Sequence, residues 1–175
     1  GMDLAFKEGE GPVLGPPIRS EEAIRVLHEP ANVELDYVAD TVRMVCGELN
    51  GRLPVIGFSG APFTLGSYMI EGGATRDFLQ TKQFMYQAPE LWKQLMEKIV
   101  SVLAVYLRSQ AKAGAAALQI FDSWVGCLSP VDYRRFVLPY SQKLIRLVSD
   151  LGIPIIHFGT GTATLLGLMR EAGGD

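Results

Sequence analysis

The residues able to do chemistry in this chain gather in three places. In the stretch from Pro54 to Gly73, the hydroxyls of Thr64, Ser67 and Tyr68 follow a short apolar run ending at Phe58. Gly57, Gly60, Pro62 and Gly66 would let the backbone turn sharply there and come close to a ligand, although the same residues would also serve a plain strand-to-helix turn. Asp122 and Ser123 end a second apolar run, a position where a carboxylate could act as general acid or base or simply accept a structural hydrogen bond. His157 ends a third, where an imidazole can bind metal, move a proton or sit hydrogen-bonded at a strand end. Glu71 could pair with Arg76 or cap a helix, and Arg76 and Lys82 could meet a carboxylate or lie on a solvated helix face. Cys46 and Cys127 stand far apart without a CxxC pair, so both read as free thiols and no metal site is expected.

These residues need a scaffold, and the chain spells one out in cycles. Residues 1 to 20, rich in glycine and proline, read as extended loop. Ser20 caps a short helix that Pro30 ends. Leu35 to Leu49 has helical spacing, closed by Asn50-Gly51. Pro54 to Phe58 reads as a strand covered on both faces. Ser59 to Tyr68 reads as a loop, and Thr75 as the cap of a helix over 76–87. Ala88-Pro89 opens a long helix to about residue 113. A strand at 115–121 follows, then a helix begun by Ser129-Pro130 and kinked at Pro139, a strand at 153–158 and a helix at 162–172. Strands alternating with helices of this length predict a parallel α/β sheet. In such sheets ligands gather at the carboxyl ends of the strands. That rule selects the loops at 59–68, 122–128 and 158–162 together.

Composition sets outer limits. With 175 residues and 48% hydrophobic content the chain can bury one core, so 1–175 is expected to be a single domain. Sixteen basic against nineteen acidic residues give no basic field for nucleic acid or an anionic membrane surface. No apolar run reaches spanning length and the first residues lack a signal-peptide pattern, so a cytoplasmic protein is expected.

The segment Gly57-Phe58-Ser59-Gly60-Ala61-Pro62-Phe63-Thr64-Leu65, continued by Tyr68-Met69-Ile70-Glu71-Gly72-Gly73, resembles the signature of the uroporphyrinogen decarboxylases. Phe6 to Pro12 resembles the family's FxxGEGP segment. Gln119 to Trp124 with Leu128-Ser129-Pro130, and Ile155 to Gly159 with the helix after it, match further family segments in order. The resemblance covers the whole chain and implies a sector of a (β/α)8 TIM barrel. It implies a carboxy-lyase of porphyrin and haem biosynthesis that needs no cofactor or metal and works as a homodimer. Its substrate is uroporphyrinogen III. Among site residues it implies substrate contacts from Tyr68 and Ser123 and a pocket wall at Phe58. The family's catalytic aspartate, the arginines of its RxAGR segment and a late histidine match nothing in these residues. The chain therefore reads as an internal piece with no catalytic residue of its own, inactive when alone. Two other readings stay open. One is a corrinoid-linked zinc methyltransferase of the same superfamily, which would carry His-x-Cys where this chain has His157-Phe158-Gly159. The other is a non-catalytic porphyrinogen-binding protein.

Overall fold

The computed structural model describes residues 2–7, 11–27, 35–73 and 75–175. Its centre is a three-stranded parallel sheet in the order β3 (Ile56–Gly60), β4 (Ala117–Asp122), β5 (Ile155–Gly159). The register runs Phe58 to Gln119 to Ile156 and Ser59 to Ile120 to His157. Parallel neighbours need long crossovers. Here α3 (Pro62–Glu71), α4 (Leu79–Gln87) and α5 (Pro89–Lys112) supply the first, and α6 (Pro130–Phe136) and α7 (Leu138–Val148) the second. α8 (Leu166–Ala172) follows β5. No helix among the described residues is long and apolar enough to cross a membrane.

One face of the sheet is packed. α5 buries Trp92, Leu95, Met96, Ile99, Leu103 and Leu107, a stripe at spacings of three and four. Against it and its neighbouring helices lie Leu118, Ile120 and Ile155 from the strands. The Trp92 indole N–H donates to the Phe136 carbonyl at 3.0 Å, tying α5 to the end of α6. The amide of Gln110 takes both backbone groups of Phe58 that no strand takes, at 2.9 Å each. An added Cβ at Gly57 would stand 3.0 Å from that same amide, so the close approach explains the glycine.

Local signals placed most of the boundaries. The hydroxyls of Ser20 and Ser129 accept from the backbone N–H groups of Ala23 and Asp132, capping α1 (Glu21–Arg25) and α6. Asn50, in the left-handed region at φ 45°, ends α2 (Asp36–Leu49). Near Pro139 the helix divides at Val137 into α6 and α7. α1 ends at Arg25 with Val26 as its C-cap, ahead of Pro30, which lies outside the described residues.

Seven expectations are corrected. Residues Asp3–Lys7 and Gly11–Gly15 form an antiparallel pair, β1 and β2, rather than a loop, and the Leu14 and Ile18 N–H groups bond the carbonyls of Gly72 and Met69 at the end of α3. Ser59 to Tyr68 is not a loop: Ala61 alone separates β3 from α3, with Pro62 in the first turn, where its missing N–H costs nothing. Gly66 is helical and makes room for Met96, whose methyl would lie 2.4 Å from an added Cβ. Thr75 does not cap α4, which starts at Leu79. β3 is covered on one face only, since Ile56 and Phe58 are 49% and 56% exposed. β4 and β5 each begin two residues later than expected, and α8 begins at Leu166 because residues 163–165 form a turn first.

Candidate active site

The strand ends converge as the alternation of elements requires. Tyr68 projects from α3, and its ring stacks on Trp124, the residue after Ser123, with centroids 3.7 Å apart and 36° between planes. Phe78 packs on Trp124 as well, at 4.9 Å. Burial pushes the Tyr68 phenol above its ordinary range, so at neutral pH it is a neutral O–H donor. Ser123 is the first residue beyond β4, and its carbonyl accepts from the Thr160 hydroxyl, which fastens it to the loop after β5. Tyr68 and Ser123, 55 positions apart in sequence, thus stand on one rim, joined through Trp124.

Phe58 lies below that rim on the open face of the sheet. Its ring meets Phe121 edge-on, with centroids 5.8 Å apart and 88° between planes, and Phe121 meets Phe158 at 5.4 Å and 68°. Three strands thereby contribute one aromatic ring each to a continuous apolar wall. Such a wall offers area and π-faces to a flat ligand but no proton chemistry.

The two groups most able to move protons are not on that wall. Asp122 shares the alternation of Leu118 and Ile120, faces the helices and is fully buried. Its Oδ1 accepts from the Thr64 hydroxyl at 3.0 Å, and Thr64 Oγ1 in turn lies 3.4 Å from the Trp124 N–H. His157 shares that face, its side chain 4% exposed and its Nε2 3.9 Å from Asp122 Oδ2. Both stand behind the sheet that Phe58 lines, away from the open face. Glu71 proves structural: its Oε1 accepts from the Thr81 N–H and hydroxyl at 2.9 Å each, capping α4 from outside the helix instead of pairing with Arg76.

Among the described residues no three His, Cys, Asp or Glu side chains gather closely enough to hold a metal ion. Both cysteines are free; burial pushes the Cys127 thiol up, and Cys46 Sγ lies 3.3 Å from the Gly114 carbonyl. Sequence reasoning missed Trp124 as the link between Tyr68 and Ser123, and missed Phe121 and Phe158 as companions of Phe58. The signal was there in part. Each of the three apolar runs carries a phenylalanine within its last three residues.

Comparison with known proteins places this rim in a wider setting. The family model described as "Uroporphyrinogen decarboxylase (URO-D)" matches residues 1–175. Proteins named uroporphyrinogen decarboxylase from Syntrophotalea carbinolica, Solibacter usitatus and Thermus thermophilus are 54%, 49% and 49% identical over all of this chain. The chain spans about half the length of these curated relatives, 51% in each of the three. A solved structure, a methyltransferase from Methanosarcina mazei, superposes with TM-score 0.78 over 99% of this chain and 51% of its own, at 16% identity. At that identity the likeness concerns fold alone, and with the parallel sheet it identifies a partial TIM barrel.

Proposed function

The chain belongs to the uroporphyrinogen decarboxylase family, and from that premise we propose that the full polypeptide carrying it converts uroporphyrinogen III to coproporphyrinogen III. The observation that carries this reading is the family match along all 175 residues. Each of the four acetate side chains would lose carbon dioxide and become a methyl group. Protonation of a pyrrole carbon makes the ring cationic. The electrons of the bond to the departing carboxyl carbon then flow into that ring, carbon dioxide leaves, the exocyclic carbon takes up a proton, and the ring carbon gives up the proton it first received, restoring the aromatic pyrrole. The pyrrole is its own electron sink, so the reaction needs no cofactor.

In this scheme residues 1–175 hold and orient substrate. Tyr68, kept neutral by burial, donates its O–H to a substrate carboxylate. Ser123 donates from the same rim, and its fixed carbonyl holds the loop that presents it. Phe58, with Phe121 and Phe158, forms the wall against which a pyrrole ring rests. None of these can offset the positive charge that develops on the ring, a task that needs a carboxylate placed at the pyrrole nitrogens. By the family resemblance that carboxylate and the arginines for the remaining side chains come from outside residues 1–175. Residues 1–175 alone are accordingly proposed to be inactive. The full enzyme is proposed to be a cytoplasmic homodimer without nucleic-acid or membrane partners.

The test is formation of coproporphyrinogen by the purified full polypeptide in the presence of a strong chelator. Undiminished conversion is expected. Loss of activity in chelator with recovery on adding zinc would overturn the cofactor-free reading, and binding of uroporphyrinogen without turnover would replace it with the non-catalytic one.

A further inference from the structure

Behind the sheet, on the side away from the aromatic wall, Asp122 and His157 lie side by side, and several buried polar atoms there and on the covering helices make no hydrogen bond of ordinary length to a protein atom among the described residues. They include Asp122 Oδ2, both imidazole nitrogens of His157, and the hydroxyls of Tyr133 and Ser141. The separation of 3.9 Å between Asp122 Oδ2 and His157 Nε2 is too long for a hydrogen bond. Tyr133 of α6 is fully buried and close enough to Asp122 to feel its charge: burial first, and the Asp122 carboxylate second, push its phenol above the ordinary range, and Ser141 of α7 lies beside it. Buried groups of this kind are almost always paired in folded proteins. Where protein atoms do not pair them, an ordered water making about three hydrogen bonds commonly does.

We propose that a single buried water, held by Asp122 Oδ2, His157 Nε2 and the Tyr133 hydroxyl, makes Asp122 and His157 positioning residues for the rim that carries Ser123 and Tyr68. The connection runs through short steps. The water fixes the carboxylate from behind, and the carboxylate's other oxygen holds Thr64 at 3.0 Å. Thr64 sits in the first turn of α3, the helix that carries Tyr68, and faces the backbone N–H of Trp124. Trp124 stacks on Tyr68 and follows Ser123. His157 lies one position ahead of Phe158 in the wall and three ahead of Thr160, which holds the Ser123 carbonyl. One water thus joins the ends of β4 and β5 to α6 and, through Asp122 and Thr64, to the helix that follows β3, and displacing it would loosen both hydroxyls without touching either.

The proposal rests on the decarboxylase reading only for its activity readout, so the experiment has two further arms. A high-resolution crystal structure of the full polypeptide should show an ordered water within hydrogen-bond reach of the three named atoms; a direct side-chain partner for Asp122 Oδ2 in its place would overturn the proposal. His157→Leu should lower kcat/KM for uroporphyrinogen III on the order of 10- to 100-fold, chiefly through KM, as misplacement of binding groups does. His157→Gln, which keeps polar atoms at that site, should recover most of the loss. In protein labelled with 5-fluorotryptophan, the Trp124 resonance should move in His157→Leu because its stacking on Tyr68 changes, and should return in His157→Gln. If His157→Leu does not fold, Tyr133→Phe removes one of the three partners at nearly constant volume and should move the same resonance. An unmoved resonance together with unchanged kcat/KM refutes the proposal. If the parent polypeptide has no decarboxylase activity, the crystallographic water and the fluorine signal still decide the matter.

Discussion

The two faces of the β3–β4–β5 sheet are built from the same strands and have opposite character. The helix-covered face carries Gly57, Ser59, Leu118, Ile120, Asp122, Ile155 and His157, and it is closed by α5 and its neighbours. The other face carries Ile56, Phe58, Gln119, Phe121, Ile156 and Phe158, with four of those hydrophobic side chains between 38% and 56% exposed. Apolar side chains at these exposures stabilise residues 1–175 little. Their value lies in what they can hold, and the proposed substrate wall is on this side. In the proposed reading, fold stability and ligand recognition fall on opposite sides of one sheet, with Ser59, Asp122 and His157 as polar exceptions on the stabilising side.

The largest effect that would test this division is on residues 1–175 expressed alone. An apolar face of this breadth favours association over a monomer. Residues 1–175 are expected to associate and to show no decarboxylation, as read by sedimentation and by product formation. Replacing Phe58 and Phe158 by serine should shift the assembly toward monomer. A monodisperse monomer that turns over uroporphyrinogen would contradict both the open face and the division of labour.

Two isoleucines in adjacent strands sharpen the contrast. Ile120 is 1% exposed on the covered face, and Ile56 is 49% exposed on the open one. Truncation at Ile120 leaves a cavity, so Ile120→Ala should cost about 2–5 kcal/mol in chemical denaturation. Ile56→Ala should cost about 1 kcal/mol or less, measured on dilute residues 1–175. Equal losses would mean that the open face is covered in solution.

Tyr68→Phe removes a hydroxyl while leaving the ring stacked on Trp124. In the full polypeptide it should weaken substrate recognition by roughly 1–3 kcal/mol in kcat/KM if that hydroxyl meets a buried carboxylate. The folded stability should hardly change. An unchanged kcat/KM would make Tyr68 a packing residue only.

Much of this architecture was legible beforehand, for reasons that differ by element. Capping chemistry is local, which is why Ser20, Ser129, Asn50 and Pro89 marked their helix ends correctly. The three strands and their shared carboxyl edge followed from short apolar runs alternating with long helices. The start of α3 was hidden because Gly60, Pro62 and Gly66 read as loop residues, whereas Gly66 answers to Met96, thirty positions away in α5. Exposure of Ile56 and Phe58 was hidden for a related reason: alternation separates two faces without saying which one the helices cover. The placement of Asp122 was within reach of the sequence, since it shares parity with Leu118 and Ile120. The Tyr68–Trp124 stack was not, because nothing local links α3 to the turn after β4.

The smallest effect lies on the outer surface of the helices that close the covered face. Arg108 of α5 meets Asp150, in the turn before β5, through two hydrogen bonds of 2.5 and 2.7 Å. The guanidinium holds the Asp150 carboxyl below its ordinary range, mainly by that hydrogen bonding. A carboxyl whose folded pKa is depressed binds its proton more readily in the unfolded chain. Its contribution is therefore fully present above the unfolded value of about 3.9 and is lost as pH falls through the lower folded value. Asp150→Asn should make residues 1–175 slightly less stable near neutral pH. The gap to the parent should close in strong acid, where both carry a neutral side chain, and should also narrow in high salt, because the pair is open to solvent. Melting curves of parent and variant across that acid range test the sign. A gap that persists unchanged in acid would assign the contribution to packing around the turn and not to charge, and the outer surface would then resemble the covered face it encloses.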